Sequence, residues 1–297
     1  MAVNAKTKIL ILGNNGFIGK AIFENLSSIS DLQVEGFNSS TLDLSGKDSF
    51  HQLGEKVDKS TIVVFLARAR KNSDPLISYD KDTVIASNVA RFLAKYPIKK
   101  FLFFSSISVY GEFVTDLNIT EETKIAPSSH YGISKFATEN LLRLAAQEMN
   151  TPLIVLRPCM IFGPGNLELP YGPDRFINSL TEKNHIDLYG DGSESRDFLF
   201  INDLVKITKK YIFEDCSGIY NLGTGISSTF SYIIENLRSL VGKDFPIIKN
   251  KRVKPQIDQV LNISRLMDFY PDCVFTPLKI GLKQTLDSYQ SIFANKT

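Results

Sequence analysis

The chain has 297 residues, 43% of them hydrophobic and 22% charged, which is ordinary globular composition and enough for one large domain or two unequal ones. With 34 Lys and Arg against 32 Asp and Glu, the formal charge is +2, which gives no electrostatic basis for a nucleic-acid or membrane-surface partner. No apolar run reaches the ~18 residues of a transmembrane helix, and the three cysteines, Cys159, Cys216 and Cys273, form neither a disulfide set nor a metal-ligand pattern; a cytosolic chain with reduced thiols and no metal is expected.

In chain order the sequence predicts a strand at Ile9–Leu12, a helix at Gly19–Ser27, a strand at Gln33–Phe37 and a helix at Asp48–Val57. A strand at Ile62–Leu66, a helix at Thr83–Tyr96 and a strand at Phe101–Phe104 follow, then a helix at Tyr131–Met149 and a strand at Leu153–Leu156. Between Phe37 and Leu42–Leu44 there is no room for a helix. Apolar runs of this kind belong to strands covered on both faces, and their alternation with helices predicts an α/β, doubly wound parallel sheet. After Arg157-Pro158 the texture changes to loop chemistry, Gly163-Pro164-Gly165 and Pro170-Tyr171-Gly172-Pro173, and then to short mixed elements with an amphipathic helix at Phe230–Leu240. The expected division is residues 1–157, with part of 187–223 returning to them, and a smaller interleaved C-terminal lobe at 158–297.

Gly13-Asn14-Asn15-Gly16-Phe17-Ile18-Gly19 follows the first strand and opens a helix. Glycines serve there where the turn needs positive φ or where backbone must approach a phosphate, and the helix start offers free N–H groups and a positive dipole end. This is the Rossmann-type dinucleotide setting; a purely structural βα turn is the plainer alternative. At the end of the second strand stand Asn38-Ser39-Ser40, with no carboxylate to bind a ribose 2′-hydroxyl or repel a 2′-phosphate. That favours NADP(H) over NAD(H), against a polar turn indifferent to the 2′ position.

Tyr131 and Lys135 are spaced i, i+4 and share one helix face. An ammonium beside the phenol favours the phenolate and is expected to lower its pKa; alone, such a pair is as well read as a solvated surface contact. Ser105-Ser106-Ile107-Ser108 stands at the C-terminal end of a buried-strand candidate, where open α/β sheets bind ligands and where a hydroxyl can stabilise developing charge, or simply form a turn.

Taken together, these segments resemble the extended short-chain dehydrogenase/reductase family, the nucleotide-sugar epimerases, dehydratases and reductases. The resemblance runs over nearly the whole chain: Gly13–Gly19, Asp43-Leu44, Phe65-Leu66-Ala67, Ser105–Gly111 ending in Val-Tyr-Gly, Tyr131–Lys135, Leu156-Arg157-Pro158, Phe162-Gly163-Pro164-Gly165, Gly190-Asp191-Gly192, Arg196-Asp197-Phe198, Tyr220–Gly225 and Gly281-Leu282. It implies Ser106, Tyr131 and Lys135 as the catalytic group. It implies a cofactor site of Gly13, Gly16, Phe17, Ile18, Gly19, Asn38, Ser39, Asp43, Leu44, Leu66, Ala67 and Arg68, with Tyr131 and Lys135. For a nucleotide-diphosphate sugar it implies Ser106, Ser108, Arg196 and, as a weaker candidate, Arg252; a surface salt bridge of Arg196 with Glu194 or Asp197 is the plainer alternative.

Three departures narrow the choice. Ile107 and Ser108 stand where the 4,6-dehydratases carry an Asp-Glu pair or a Glu, Ser108 also replaces the Cys of the epimerising reductases, and Met160 replaces a frequent Asn. The resemblance then implies reduction of an NDP-4-keto-6-deoxyhexose at C4 in a cytoplasmic homodimer. A 4-epimerase holding NAD is the second choice, and a non-catalytic nucleotide-binding regulator the third.

Overall fold

A computed structural model describes residues 6–112, 115–166, 172–252 and 255–294, so the Pro170-Tyr171 part of the expected loop lies outside the described residues. In chain order its elements are β1 (Thr7–Leu12), α1 (Phe17–Ser27), β2 (Leu32–Phe37), α2 (Ser49–Gly54), β3 (Ile62–Phe65), α3 (Pro75–Leu93), β4 (Lys100–Phe104), β5 (Asp116–Ile119), α4 (His130–Glu148) and β6 (Leu153–Pro158). There follow β7 (Met160–Phe162), α5 (Pro173–Lys183), β8 (Ile186–Tyr189), β9 (Ser195–Phe200), α6 (Ile201–Phe213), β10 (Gly218–Leu222), β11 (Ser227–Thr229) and α7 (Phe230–Val241). The chain closes with β12 (Ile247–Asn250), β13 (Gln259–Leu261), α8 (Ser264–Phe269) and α9 (Leu278–Ala294).

The chain divides into two compact units. One comprises Met1–Glu112, Lys124–Arg157 and Val205–Tyr220; the other comprises Phe113–Thr123, Pro158–Leu204 and Asn221–Thr297. The first unit is built on a six-stranded sheet in the order β10-β6-β4-β3-β1-β2. Its pairings from β6 to β2 are parallel. Alternate residues send Leu10, Leu12, Val63, Phe65, Phe101, Phe103 and Val155 to one face, where Val89, Phe92 and Leu93 of α3 and Leu142, Ala145 and Ala146 of α4 cover them. Ile9, Ile11, Val64, Leu102, Phe104, Ile154 and Leu156 point the other way and are also buried, which is why these strands read as unbroken apolar runs. Because β2 lies on one side of β1 and β3 on the other, strand order reverses at β1, and ligands of such sheets sit beyond the carboxyl ends at that point.

In the second unit β9 pairs parallel with β7 and antiparallel with β11, while β8 pairs with β12 and β5 with β13, both parallel. Helices α5, α7 and α9 pack on one another. Residues of the first half thus enter this unit through β5, which finds its only described partner in β13.

Two elements differ from expectation for local reasons. Helix α3 starts at Pro75 rather than Thr83, because the Asp74 carboxylate accepts the Leu76 N–H at 2.9 Å and Pro75 supplies the first helical φ. Leu76 and Ile77 are exposed, so this first stretch has no apolar stripe to betray it. Strand β4 begins at Lys100, a buried lysine whose Nζ donates to the carbonyls of Tyr211 and Ile212 at 3.1 and 3.2 Å and to that of Glu214, closing the end of α6. Among the described residues no helix is long and apolar enough to cross a membrane.

Candidate functional site

The glycine loop is shaped partly by the chain itself. Gly13 has φ +103°, and a Cβ there would lie 2.7 Å from the Ala67 nitrogen; at Gly19 it would lie 2.1 Å from the Gly13 carbonyl oxygen. These two glycines let β1, α1 and the segment after β3 meet, with the amides of Leu66 and Ala67 both donating to the Leu12 carbonyl at 2.8 Å. Gly16 is different. It has an ordinary φ of −73°, is exposed, and a Cβ would meet only the Gly13 oxygen, at 3.7 Å. It caps α1 with no side-chain hydrogen bond, ahead of half-buried Phe17 and Ile18. The chain leaves this side of the helix start bare, and a dinucleotide pyrophosphate fits a bare, positive helix end.

At the end of β2, the Asn38 amide is already engaged. Its Oδ1 accepts the Ser40 N–H at 2.9 Å and its Nδ2 donates to Asn14 Oδ1 at 3.4 Å. Of the three polar residues read there, Ser39 and Ser40 are the exposed ones. Asp43 is exposed and accepts both the amide and the hydroxyl of Ser45, which hold its carboxyl below the usual range. Leu44 is buried in the core beside it, and its carbonyl accepts from Ser49 and Asn88.

The tip of β4 and the start of α4 come together through Gly132, where a Cβ would lie 2.5 Å from the Ser108 carbonyl oxygen. Only a bare Cα lets the helix approach the 3-10 turn Ile107–Val109 this closely. Ser129 caps α4 by accepting the Gly132 N–H at 3.0 Å and donates to Glu112 at 2.7 Å. The Ser106 hydroxyl accepts the Ser108 N–H at 3.1 Å, and it stands close enough to the Tyr131 phenol to oppose the rise of its pKa. Ser106 and Tyr131 therefore converge.

The charges around Tyr131 are not arranged as the i, i+4 spacing implies. Burial raises the Tyr131 phenol above its ordinary value; Arg68 and the Ser106 hydroxyl oppose that rise, and Asp82 and Glu112 add to it. The Lys135 ammonium donates to the Phe104 carbonyl at 2.7 Å and lies 5.8 Å from the Tyr131 ring centroid. Burial, followed by Arg68, brings Lys135 down to about 8. In the free chain desolvation is the largest influence on the phenol, and Arg68, stacked 4.7 Å from the ring centroid, opposes it.

Behind this group lies a buried network that spacing does not reveal. Arg157 donates from Nε and Nη2 to the Glu139 carboxylate at 3.0 and 2.6 Å and from Nη1 to the Tyr110 hydroxyl at 2.8 Å, while the Ser105 hydroxyl donates to Glu139. Glu139 sits one turn beyond Lys135 on α4, so the network fixes the helix face that carries the site.

Arg196 and Arg252 belong to the second unit, and both engage Glu194. Arg196 is buried, pairs with Glu194 at 2.6 Å and donates to the Ile257 carbonyl; Arg252 pairs with the other Glu194 oxygen and with Asp191 at 3.5 Å. Asp197 instead accepts the Thr224 and Gly225 amides at 3.0 and 2.9 Å. Two guanidiniums thus converge on one carboxylate, and the Arg196–Glu194 ion pair is the plainer alternative read from the sequence.

Comparison with known proteins agrees with this geometry. The model of the NAD dependent epimerase/dehydratase family matches residues 9–223. A dTDP-4-dehydro-6-deoxyglucose reductase of Escherichia coli is 30% identical over 278 residues, covering 82% of this chain and 87% of its own. The structure of RMD from Pseudomonas aeruginosa complexed with NADPH superposes with a TM-score of 0.84 at 23% identity, covering 97% of this chain and all 100% of that one. A UDP-glucuronic acid 4-epimerase from Bacillus cereus in complex with NAD gives 0.83 at 22% identity, with 96% and 99% covered. With a family model matched over residues 9–223 and a 30% identical relative covered over most of both chains, this chain is a member of the NAD dependent epimerase/dehydratase family.

Proposed function

We propose that this protein reduces a nucleotide-linked 4-keto-6-deoxyhexose at C4, with NADPH favoured over NADH. The observation that carries the reading is the strand-tip turn. Ser105, Ser106 and Ser108 present hydroxyls and Ile107 a hydrocarbon, so the turn has neither the acids for eliminating water nor a thiol for epimerising carbon. The E. coli relative, a dTDP-4-dehydro-6-deoxyglucose reductase, supports the same substrate class.

Bound at the Gly16 end of α1, the dinucleotide supplies the hydride. The chain's own residues handle the oxygen. Ser106 donates a hydrogen bond to the C4 carbonyl, and Tyr131 gives its proton to that oxygen as negative charge develops. A phenol with an ordinary pKa of ~10 is already protonated at neutral pH, the form a reduction needs, and burial only raises it further. Lys135, anchored on Phe104, stays under the ring. Arg196 and Arg252 hold the sugar nucleotide's phosphates by exchanging their contacts with Glu194. Preference for NADPH rests on the absence of a carboxylate at Asn38-Ser39-Ser40, with exposed Ser39 and Ser40 the available donors. The reading includes a cytoplasmic homodimer paired through α4, whose Ile133, Leu141 and Leu144 are exposed.

The test is an initial-rate assay of reduced-nicotinamide absorbance with NADPH or NADH and an NDP-4-keto-6-deoxyhexose. Net NADPH consumption with one deoxysugar product is expected. Interconversion of C4 epimers by a protein that purifies with NAD and shows no net redox would replace the reading with a 4-epimerase. Ligand binding without turnover of either kind would leave a regulator.

A further inference from the structure

The residues that lead into α4 run back along the strand-tip turn and are clasped to it. The Ala126 N–H donates to the Val109 carbonyl at 3.1 Å, and the Glu112 N–H donates to the Ser128 hydroxyl at 2.9 Å. The Ser129 hydroxyl in turn donates to the Glu112 carboxylate at 2.7 Å while accepting the Gly132 N–H at 3.0 Å. A carboxylate can only accept, so Glu112 fixes which way the Ser129 proton points and keeps a serine lone pair on the Gly132 N–H. Glu112 is half-buried and follows the 3-10 turn that Ser106 caps. The body of α4 is held elsewhere, by Lys135 on the Phe104 carbonyl and by Glu139 on Arg157. Its first turn, which carries Tyr131, is where Glu112 acts.

We propose that Glu112 is a positioning residue for Tyr131: through its hydrogen bond with the Ser129 cap it holds the first turn of α4 against the strand-tip turn, at the spacing that brings the phenol to Ser106. The proposal rests on the reading of Ser106 and Tyr131 as the pair that acts on the substrate carbonyl. Hydrogen bonds to a carboxylate are short and strong, so this contact restrains the helix start more than neutral turn pairing does. Helix ends fray when their caps lose partners, and fraying here displaces the proton donor while leaving the rest of the helix in place.

The test compares variants of the full chain by steady-state kinetics and by deuterium exchange of the α4 amides. In Glu112→Ala, kcat for NADPH-dependent reduction falls about tenfold, and the KM values for both substrates change less than kcat does. Glu112→Gln, whose amide oxygen still accepts the Ser129 hydroxyl, recovers most of that loss. Both variants remove the carboxylate that adds to the rise of the Tyr131 phenol, so the difference between them reads the hydrogen bond and not the charge. Ser129→Gly removes the other partner, keeps an acceptable helix start, and lowers kcat as Glu112→Ala does. The Gly132 amide exchanges faster in Glu112→Ala and at the parental rate in Glu112→Gln. Parental kcat in Glu112→Ala or Ser129→Gly, equal kcat in Glu112→Ala and Glu112→Gln, KM values that move as far as kcat, or unchanged Gly132 exchange in Glu112→Ala each overturns the proposal. The exchange measurement needs no substrate, so its failure is distinct from failure of the reductase reading, which shows as no NADPH consumption by the unaltered enzyme.

Discussion

Replacing Gly132 by alanine tests how the site is held together. Gly132 lies in the first turn of α4, next to Tyr131, and a methyl there would sit 2.5 Å from the Ser108 carbonyl oxygen and 3.1 Å from Pro127 Cβ. Carbon–oxygen contacts open to ~3.3 Å or more, so the helix and the strand-tip turn must part by about 0.8 Å. Alanine gains up to about 1 kcal/mol of helix propensity, while overpacking against fixed backbone costs about 1–3 kcal/mol. The variant is therefore less stable than its parent in urea unfolding. The larger effect is on turnover, because moving Tyr131 off Ser106 by the better part of an ångström costs on the order of 100-fold. Dinucleotide binding, followed by thermal shift, falls less than turnover does, because the glycine loop is untouched while Tyr131 and Lys135 shift. A Gly132→Ala protein with parental kcat and raised stability refutes the claim that a bare glycine seats α4 on the turn.

Three further outcomes follow from the same structure. Gly16→Ala keeps its thermal stability to within the ~1 kcal/mol of an altered cap but loses most of the stabilisation that NADPH confers; unchanged NADPH stabilisation contradicts phosphate binding at that helix start. Glu139→Gln removes the negative charge from buried Arg157 and costs about 3–5 kcal/mol in denaturant titration, whereas Glu139→Leu combined with Arg157→Met costs much less; equal losses contradict the ion-pair account. Burial pushes the Asp174 carboxyl up to about 7, so the folded chain holds a proton that the unfolded chain has released above its ordinary value. The stability this contributes is present at acid pH and is lost as pH rises through about 7. Asp174→Asn, neutral throughout, flattens that fall in Tm, and an unchanged slope contradicts the assignment.

How far each feature could be read from the chain follows from its range. Ile9–Leu12 and Phe101–Phe104 are legible as buried strands because both faces are covered, and Gly13 and Gly19 as a glycine loop directly after a strand, although the atom a Cβ at Gly13 would meet belongs to distant Ala67. The start of α3 was legible in principle as Asp74-Pro75, a cap followed by proline, but its exposed Leu76 and Ile77 mask the periodicity on which the helix prediction relied. Lys100 within a buried strand and Glu139 beneath Arg157 depend on partners far along the chain, which no spacing rule supplies. The spacing of Tyr131 and Lys135 shows the neighbouring lysine but not the arginine stacked on the ring, which comes from a distant segment.

The central claim is that Ser106 and Tyr131 act on one carbonyl oxygen. A crystal structure of the complex with NADPH and an unreactive nucleotide 4-keto-sugar analogue measures it directly. The account predicts both hydroxyl oxygens within ~3 Å of the C4 oxygen. A sugar C4 oxygen bonded to neither residue, in a complex that still turns over substrate, contradicts it.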